Sequence, residues 1–471
     1  MSAPILGHVD PYRGGSVDGQ LRLSEIIASL SYALDITEGQ PEGHAVRSCI
    51  IGLRIADELQ LSDDRKTGLF YALLLKDLGC SSNAARMCSL FQADERDVKR
   101  DIKLIDWTSL LSVASFSLHH VMPGTSIITR LIKVAGMTRT IESTSRSLMK
   151  VRCERGADIA RMLGFPENTA QAILDLDEHF DGHGHPRGLR GNQISLEGQI
   201  CSLAQTMEVF ITAGGVDAAR NIARERSGTW FNPEVVKVFL DAAKYSSFKK
   251  VLSDPNPRQA LQEMEPADHV RSVDNEMLDR IALAFSQVID AKSPWTMRHS
   301  QGVADIAGGI GRAMGMSAEK QRELRRAGLL HDIGKLGVPN TILDKPAKLT
   351  DSEFAQMKQH TDHTHQILER VSSFQGFADY ASAHHERLDG KGYHRGLHGD
   401  AIPVEARILA VADVCEAMSA DRPYRSGMSA EQIIDILRSE SGTAFCPDVV
   451  TAFLQVQDES NLIENLKARS V

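Results

Sequence analysis

An imidazole and a carboxylate stand side by side at His331 and Asp332, directly after the apolar run Ala327-Gly328-Leu329-Leu330. At the end of a buried helical run such groups are costly to desolvate unless something binds them, and a metal ion is the usual partner. A core histidine with satisfied hydrogen bonds beside a helix-terminal aspartate would give the same pair. The pair alone therefore leaves the metal-binding and structural interpretations both open.

Histidine is concentrated around this pair. Of the chain's 17 histidines, one group falls in a single stretch: His299, His331, His360, His363, His365, His384, His385, His394 and His398. Solvated surfaces rarely collect imidazole in this way, because Lys, Glu and Arg serve there without titrating near neutral pH. The cluster therefore favours metal chemistry.

The elements that would carry these side chains are predicted to be helical. His299 opens a segment with apolar residues at helical spacing, and Asp413 lies inside "ARILAVADVCEAM", where an unpaired carboxylate would be costly. Adjacent His384 and His385 would point about 100° apart on a helix, so that the two neighbours could serve two metal ions. A dinuclear centre accounts for all these residues.

Composition limits the class of protein. With 53 Lys+Arg against 62 Asp+Glu, the net charge of -9 argues against a general polyanion binder, and we expect no nucleic-acid duplex as partner. The 7 cysteines are scattered without a C-x-x-C pair, which indicates a reducing compartment. Because no segment resembles a signal peptide or a membrane span, we expect a cytoplasmic protein with no membrane contact.

The sequence contains an internal repeat. "DGHGHPRGLRG" from Asp181 matches "DGKGYHRGLHG" from Asp389, and "SGTWFNPEVVKVFL" from Ser227 matches "SGTAFCPDVVTAFL" from Ser441. Helical periodicity prevails and strand patterns are nearly absent, so the predicted class is all-α with two tandem domains. The predicted division is a loose tail (1–20), a first repeat (21–240) with an insertion near 84–145, a linker (241–272) and a second repeat (273–471).

The second repeat resembles the HD-GYP family of the HD phosphohydrolase superfamily. The resemblance rests on "HDIGK", "ILDKPAKLT", "MKQH", "HHERLDGKGY", "ILAVADV" and "DRPYR" in this order. It implies a helical HD-type domain with a di- or tri-metal centre, usually iron or manganese, that hydrolyses cyclic dinucleotides, chiefly cyclic di-GMP. The implied metal ligands are His299, His331, Asp332, His360, His384, His385 and Asp413.

The resemblance also implies further roles. Asp332 would bridge two ions, and Lys335, Arg422 and Arg425 match positions that hold the substrate's phosphates and nucleotide. The residue four before His299, where members with a third metal carry Glu, is Trp295, so we expect two metal ions. The namesake G-Y-P loop reads Gly392-Tyr393-His394, which puts in doubt a partner-docking role of that loop.

The first repeat is a degenerate copy. It keeps His44 and Asp77, but the other positions of the implied ligand set have changed to Lys76, Arg152, Leu176, Asp177 and Gln205. Two remaining ligands cannot hold a dinuclear site. His179, His183 and His185 cluster around the loop after Asp177, and we interpret them as part of a surface loop rather than as a new metal site. The copy would serve packing, dimerisation or ligand sensing.

These observations lead to one hypothesis and two rivals. The hypothesis is a metal-dependent cyclic-dinucleotide phosphodiesterase in which a hydroxide bridging the metals attacks phosphorus, with Asp332 and Lys335 at the reacting centre. One rival is a signalling or scaffold protein that binds a nucleotide or partner with little turnover. The other is an HD-type phosphohydrolase acting on mononucleotides. A homodimer or a diguanylate-cyclase-type partner is a further expectation.

Overall fold

The structure is a computed structural model that describes residues 22–107, 109–137, 141–252, 254, 257–266, 272–296, 298–393, 395–421, 426–460 and 462–463. The predicted tail (1–20) and His394 lie outside these ranges. Across the described ranges the chain is helical, and the β-type pairs there are isolated bridges. The all-α prediction is confirmed.

The helices of the first half begin at Leu23. They are α1 (Leu23–Thr37), α2 (His44–Glu58), α3 (Asp63–Leu75), α4 (Ala84–Phe91), α5 (Glu95–Ile102), α6 (Leu110–His120), α7 (Ile127–Met137), α8 (Ile141–Met162), α9 (Glu167–Asp175), α10 (Leu196–Glu225), α11 (Pro233–Ala242), α12 (Ser246–Leu252) and α13 (Pro257–Met264). Short 3-10 helices cover Cys80–Asn83 and Gly191–Gln193.

The second half repeats the plan with fewer helices. They are α14 (Asn275–Asp290), α15 (His299–Ala313), α16 (Ala318–Leu330), α17 (Asn340–Leu343), α18 (Asp351–Glu369), α19 (Gln375–Ser382), α20 (Val404–Ser419), α21 (Ala430–Ser439) and α22 (Pro447–Ser460). The 3-10 helices here cover Ile333–Gly337, Ser372–Phe374 and Gly399–Ala401.

The tandem repeat is visible in matching backbone contacts. The turn in "SGTWF" forms a bridge between Ser227 and Phe231, and the turn in "SGTAF" forms the same bridge between Ser441 and Phe445. In each turn the glycine N–H donates to the phenylalanine carbonyl at 2.8 Å. The two halves therefore share the geometry of this turn, in line with their matching sequences.

The two halves share one continuous apolar core. Helix α1 of the first half packs against the 3-10 helix Ile333–Gly337 of the second half. Helix α13 falls in the predicted linker and packs on α2, with Leu261 only 2% exposed. This segment therefore contributes to the core.

The predicted insertion near 84–145 is helical. It contains α4 to α7, which pack with α8 around a separate small apolar cluster that includes Met87, Phe91, Phe116 and Leu148. On α7, Ile128 and Leu131 are exposed. Among the helices that the structure describes, none combines the length and apolar character needed to cross a membrane.

Candidate metal centre

The His-Asp pair lies where α16 ends. The chain passes through His331 and Asp332 into the 3-10 helix Ile333–Gly337. This segment packs closely on α18, because a Cβ added to Gly334 would lie 1.8 Å from the carbonyl oxygen of His360. Glycine at 334 therefore lets α18 approach closely enough to place His360 beside Asp332.

Three histidines have the same orientation. The Nδ1 atoms of His331, His360 and His384 bond the carbonyl oxygens three residues earlier, at 2.8, 2.7 and 2.6 Å respectively. A proton held on Nδ1 by this contact leaves Nε2 as the lone-pair atom. All three Nε2 atoms face Asp332.

The two oxygens of Asp332 face different histidines. Oδ1 lies 3.5 Å from His360 Nε2 and 3.8 Å from His384 Nε2. Oδ2 lies 3.5 Å from His299 Nε2 and 3.2 Å from His331 Nε2. Asp332 is therefore placed between two groups of imidazoles, as a bridging carboxylate would be.

Asp413 on α20 closes the other side of the centre. Its Oδ1 lies 3.3 Å from His299 Nε2, and its Oδ2 lies 3.9 Å from His385 Nδ1. The possible ligand atoms of His360, His384 and His385 lie within 4.8 Å of one another, as do those of His299, His331 and Asp332. The structure thus brings all seven predicted ligands together.

Several of these buried polar atoms have no hydrogen bond. They are His331 Nε2, His360 Nε2, His384 Nε2 and Asp332 Oδ1. An unpaired buried donor or acceptor costs about 1–3 kcal/mol, and here the orphaned atoms face one common space. A cation that accepts imidazole and carboxylate ligands in that space would remove the cost, so the residues fit a metal centre.

The protonation states suit such a cation. Burial lowers the pKa of His360 to about 3 and that of His385 to about 4, and it holds the pKa of His384 well below its usual value. Burial alone would raise the pKa of Asp332, but His331 and Lys335 hold it well below its usual range. His360, His384 and His385 are therefore neutral beside an ionised carboxylate. Burial alone would lower the pKa of His299, but Glu416 and the two aspartates hold it well above its usual value.

Glu416 is a member of the site that the sequence did not reveal. It lies three residues after Asp413 on α20, and its carboxylate accepts a short hydrogen bond from His299 Nδ1. This contact turns His299 Nε2 towards Asp332 and Asp413. Gly302 leaves room for the Glu416 side chain, because a Cβ at position 302 would lie 2.7 Å from Glu416 Cγ.

The predicted substrate-binding residues are only partly described. Lys335 forms an ion pair with Asp332 Oδ2, and its side chain is 21% exposed, so it lies between the buried centre and solvent. The ring of Tyr393 packs against His385 with centroids 4.4 Å apart. Arg422 and Arg425 lie outside the described residues.

One detail of the predicted geometry is wrong. His384 and His385 are not on a helix, because α19 ends at Ser382 and the pair occupies the following turn. The loop after the turn folds back on it, since a Cβ on Gly392 would lie 2.5 Å from Glu386 Cα. The carboxylate of Glu386 also accepts the Arg395 N–H at 3.0 Å. These contacts favour the turn over another helical turn.

In the first half, protein cations occupy the equivalent centre. Lys76 Nζ donates to His44 Nε2 at 3.0 Å and forms a short ion pair with Asp77. Arg152 reaches Asp77 at 3.2 Å and Asp177 at 3.0 Å. Burial, together with the Lys76 ammonium, lowers the pKa of His44 to about 4. An ammonium and a guanidinium therefore neutralise the carboxylates that a metal would otherwise bind.

The two repeats also match in the residues that position the centre. A Cβ on Gly79 would lie 1.9 Å from the carbonyl oxygen of Arg152, which matches the approach of Gly334 to His360. His44 Nδ1 bonds Glu208 as His299 Nδ1 bonds Glu416. The scaffold of the centre is thus kept in the first half although its ligands are not.

The prediction of a surface loop at His179, His183 and His185 is wrong for two of the three. His179 is 2% and His185 is 6% exposed, whereas the His183 side chain is 78% exposed. Trp107 of the insertion covers both buried rings, with centroids 4.7 and 5.2 Å away.

The chain is similar to a known family and to several characterised proteins. The family model of the HD domain matches residues 127–235 and 284–449. The chain is 41% identical, over 91% of its length and 93% of the relative's, to the 3'3'-cGAMP-specific phosphodiesterase 3 of Vibrio cholerae. It is 45% identical to the cyclic di-GMP phosphodiesterase of Thermotoga maritima over 35% of this chain and 45% of that protein.

A solved structure resembles both halves together. It is the crystal structure of the cyclic GMP-AMP-specific phosphodiesterase V-cGAP3 of V. cholerae, with a TM-score of 0.63 and 36% sequence identity. The match covers 93% of this chain and 98% of that one. The degenerate first half is therefore part of an arrangement that both proteins have.

Proposed function

This chain belongs to the HD domain family and, within it, to the HD-GYP phosphodiesterases, and we propose that its second half hydrolyses a cyclic dinucleotide at a two-metal centre. Enzymes of this type are metal-dependent and cleave phosphodiester bonds. The reaction adds water across one phosphodiester, breaks the bond from phosphorus to the ribose 3'-oxygen and releases a linear dinucleotide.

The observation that carries the proposal is the set of orphaned ligand atoms. His331 Nε2, His360 Nε2, His384 Nε2 and Asp332 Oδ1 are buried, make no hydrogen bond and face one space. Their proton positions follow from backbone contacts, so the lone pairs are ready for a cation. Substrate phosphates alone could not satisfy these atoms, because Nε2 lone pairs and a carboxylate repel an anion.

The division of ligands follows from Asp332. His299, His331 and Asp413 would hold one ion, His360, His384 and His385 would hold the other, and Asp332, whose oxygens face the two groups, would contribute to both. Mixed imidazole and carboxylate ligands suit iron or manganese, and Trp295 in place of a further Glu supports two ions. When bound, the ions supply Lewis-acid stabilisation of the phosphoryl oxygens and a nucleophile that is active at neutral pH.

The chain's own groups orient and neutralise the substrate. Lys335, ion-paired with Asp332 and partly exposed, can turn its ammonium to a phosphoryl oxygen and stabilise the charge that develops there. Tyr393 beside His385 gives the site an aromatic wall. The roles of Arg422 and Arg425 in holding the nucleotide stay predictions.

The choice of substrate rests on the relatives. The protein named 3'3'-cGAMP-specific matches both halves of this chain, whereas the cyclic di-GMP phosphodiesterase of T. maritima matches about a third of it. We therefore favour 3'3'-cGAMP as the substrate, although the sequence alone favours cyclic di-GMP. Relatedness to named phosphodiesterases also favours an enzyme over a scaffold and a dinucleotide over a mononucleotide.

The halves have different roles in this proposal. Residues 273–471 carry catalysis, residues 21–240 form the degenerate copy, and residues 241–272 join them. A cytoplasmic location stays a prediction, as does a homodimer or a diguanylate-cyclase-type partner.

The test is product chromatography. The anaerobically purified, manganese- or iron-supplemented protein is incubated with 3'3'-cGAMP, cyclic di-GMP, cyclic di-AMP and GMP, beside the His331→Ala variant as a control for contaminating hydrolase. We expect linear dinucleotide from 3'3'-cGAMP and none from the variant. Turnover of GMP alone, or no turnover by metal-loaded protein, would contradict the proposal.

A further inference from the structure

The first half contains a cavity of about 500 Å³ that the proposed catalytic function does not use. It lies between the insertion helices and the degenerate centre, and its lining includes residues of both. A volume of this size accommodates a small organic molecule. The exposed side chain of His183 lies at its edge.

The walls are mainly apolar. Met87, Phe91, Phe116 and Leu148 line one side and also form the small core of the insertion. Trp107, His179 and Trp230 form an aromatic end, with His179 stacked on Trp230 at 4.2 Å between centroids. Burial lowers the pKa of His179 to about 3, so its ring is neutral. The cavity therefore suits an apolar body.

The floor carries an excess of positive charge. Lys99, Lys103 and Arg152 line the cavity together with Glu38 and Asp177. Including Lys76 and Asp77 beneath them, four cations face three carboxylates, which leaves one positive charge over. An excess buried cation is costly unless an anion pairs with it.

Unpaired polar atoms lie at the same floor. Arg152 Nε and Gln205 Oε1 are buried and make no hydrogen bond, and both residues line the cavity. Arg152 is 8% exposed, so a contact with bulk water does not satisfy its free N–H. This donor and the excess charge both indicate a ligand group at this place.

From the volume, the walls and the floor, we propose that this cavity binds a small molecule with an apolar, aromatic or acyl body and one anionic group. The anion would lie against Arg152 and Lys103, and the body would fill the space between Phe116 and Trp107. A cyclic dinucleotide, with two phosphodiesters and polar bases, fits these walls poorly.

The wall helix α5 links this site to the catalytic half. It carries Lys99 and Ile102 into the cavity lining, and its Glu95 forms a buried ion pair with Lys292 at 2.9 Å. Lys292 in turn donates to the carbonyl of Leu336 at 3.2 Å, and Arg96 bonds the carbonyl of Gly337. Both carbonyls belong to the 3-10 helix that carries Lys335. A ligand that moves α5 therefore acts on this catalytic segment.

The test uses the full chain and anilinonaphthalene sulfonate, a fluorescent probe with an aromatic body and one anionic group. Ser145 lines the cavity on α8, so Ser145→Trp places a bulky ring at the cavity wall. Ser143→Trp adds the same side chain at an exposed position of the same helix. Lys103→Gln removes a cation from the floor. A variant with Ile127→Gln, Ile128→Gln, Leu131→Gln and Ile132→Gln removes the exposed apolar face of α7 as a rival binding surface.

We expect one saturable probe site whose affinity falls about tenfold or more in Ser145→Trp and is unchanged in Ser143→Trp and in the α7 variant. Lys103→Gln should weaken the probe about fivefold and leave the affinity of neutral phenylnaphthylamine unchanged. Parent affinity in both Ser145→Trp and Lys103→Gln, or loss of binding in the α7 variant alone, would overturn the proposal.

A second experiment measures the link to catalysis. Only this experiment rests on the proposed function. Hydrolysis by the parent should change with probe concentration at the midpoint seen by fluorescence, and Ser145→Trp should not show this change. Unchanged hydrolysis at saturating probe would overturn the link. A protein with no hydrolysis at all would contradict the proposed function and leave the binding result to decide on the cavity.

Discussion

The hydrogen bond from His299 to Glu416 offers a sensitive test of the metal centre. In the Glu416→Gln variant the amide oxygen can still accept from His299 Nδ1, but the carboxylate charge is lost. Both side chains are largely buried, at 5% and 10% exposure, so solvent does little to weaken this contact. The change therefore alters the basicity of a proposed ligand without removing it.

The expected loss of metal affinity follows from the weaker hydrogen bond to His299. A hydrogen bond to a charged group contributes about 1.5–3 kcal/mol and a neutral one about 0.5–1.5 kcal/mol. The difference of about 1–1.5 kcal/mol corresponds to roughly a tenfold weaker metal affinity. This is the lower end of the roughly 10- to 100-fold range known for partners of metal-bound histidines.

The repeat supplies a matched control. Glu208→Gln changes the same contact, to His44, in the first half, where Lys76 occupies the equivalent centre. Apparent manganese affinity is measured by competition with a chelating indicator, and hydrolysis is measured at saturating manganese. We expect weaker metal binding in Glu416→Gln and parent-like binding in Glu208→Gln. Equal affinity in all three proteins, or an equal loss in both variants, would refute the reasoning.

Three further predictions concern charge. Lys335→Ala should keep the metal and lose roughly 10²- to 10³-fold in kcat, because it removes charge stabilisation from the transition state; parent-like kcat would exclude that role. Asp77→Ala should leave metal content unchanged but lower the free energy of unfolding by about 3–5 kcal/mol, because it leaves Lys76 and Arg152 short of a buried partner. Elemental analysis and urea unfolding check both parts, and loss of metal would show that the first half holds an ion. His179 has a pKa near 3 when folded and near 6.5 when unfolded, so the unfolded chain takes up the proton first and the folded state loses stability as pH falls from about 6.5 towards 3. Urea unfolding should show the parent losing about 2 kcal/mol more than His179→Phe between about pH 7.5 and 5, and equal losses would contradict the assignment.

The proposed metal ligands could be identified from the sequence because each belongs to a short motif with its own signal. His331 and Asp332 end an apolar run, and Asp413 lies in a helix where a carboxylate needs a partner. The positions at which the first repeat lacks a metal-ligating residue, such as Lys76 and Arg152, could be identified by aligning the two repeats. Their pairing with Asp77 follows from charge once the repeat is recognised.

Other features depend on tertiary contacts that sequence spacing does not reveal. Glu416 contacts His299 from a position 117 residues away, and a glutamate near the end of a helix is otherwise unremarkable. His179 lies in a segment rich in Gly, Pro and His, a composition that predicts an exposed loop. Its burial depends on Trp107 from the insertion, which has no counterpart in the second repeat. The turn at His384 depends on the fold-back of the loop at Gly392.

The most direct test of the two-metal centre is the transition-metal content of the anaerobically purified chain. Elemental analysis is made on the parent, on a His331→Ala, His360→Ala double variant and on His44→Ala as the matched first-half control. We expect about two ions per chain in the parent and in His44→Ala, and a loss of both in the double variant. Full metal content in a folded double variant, or loss of metal in folded His44→Ala, would contradict it.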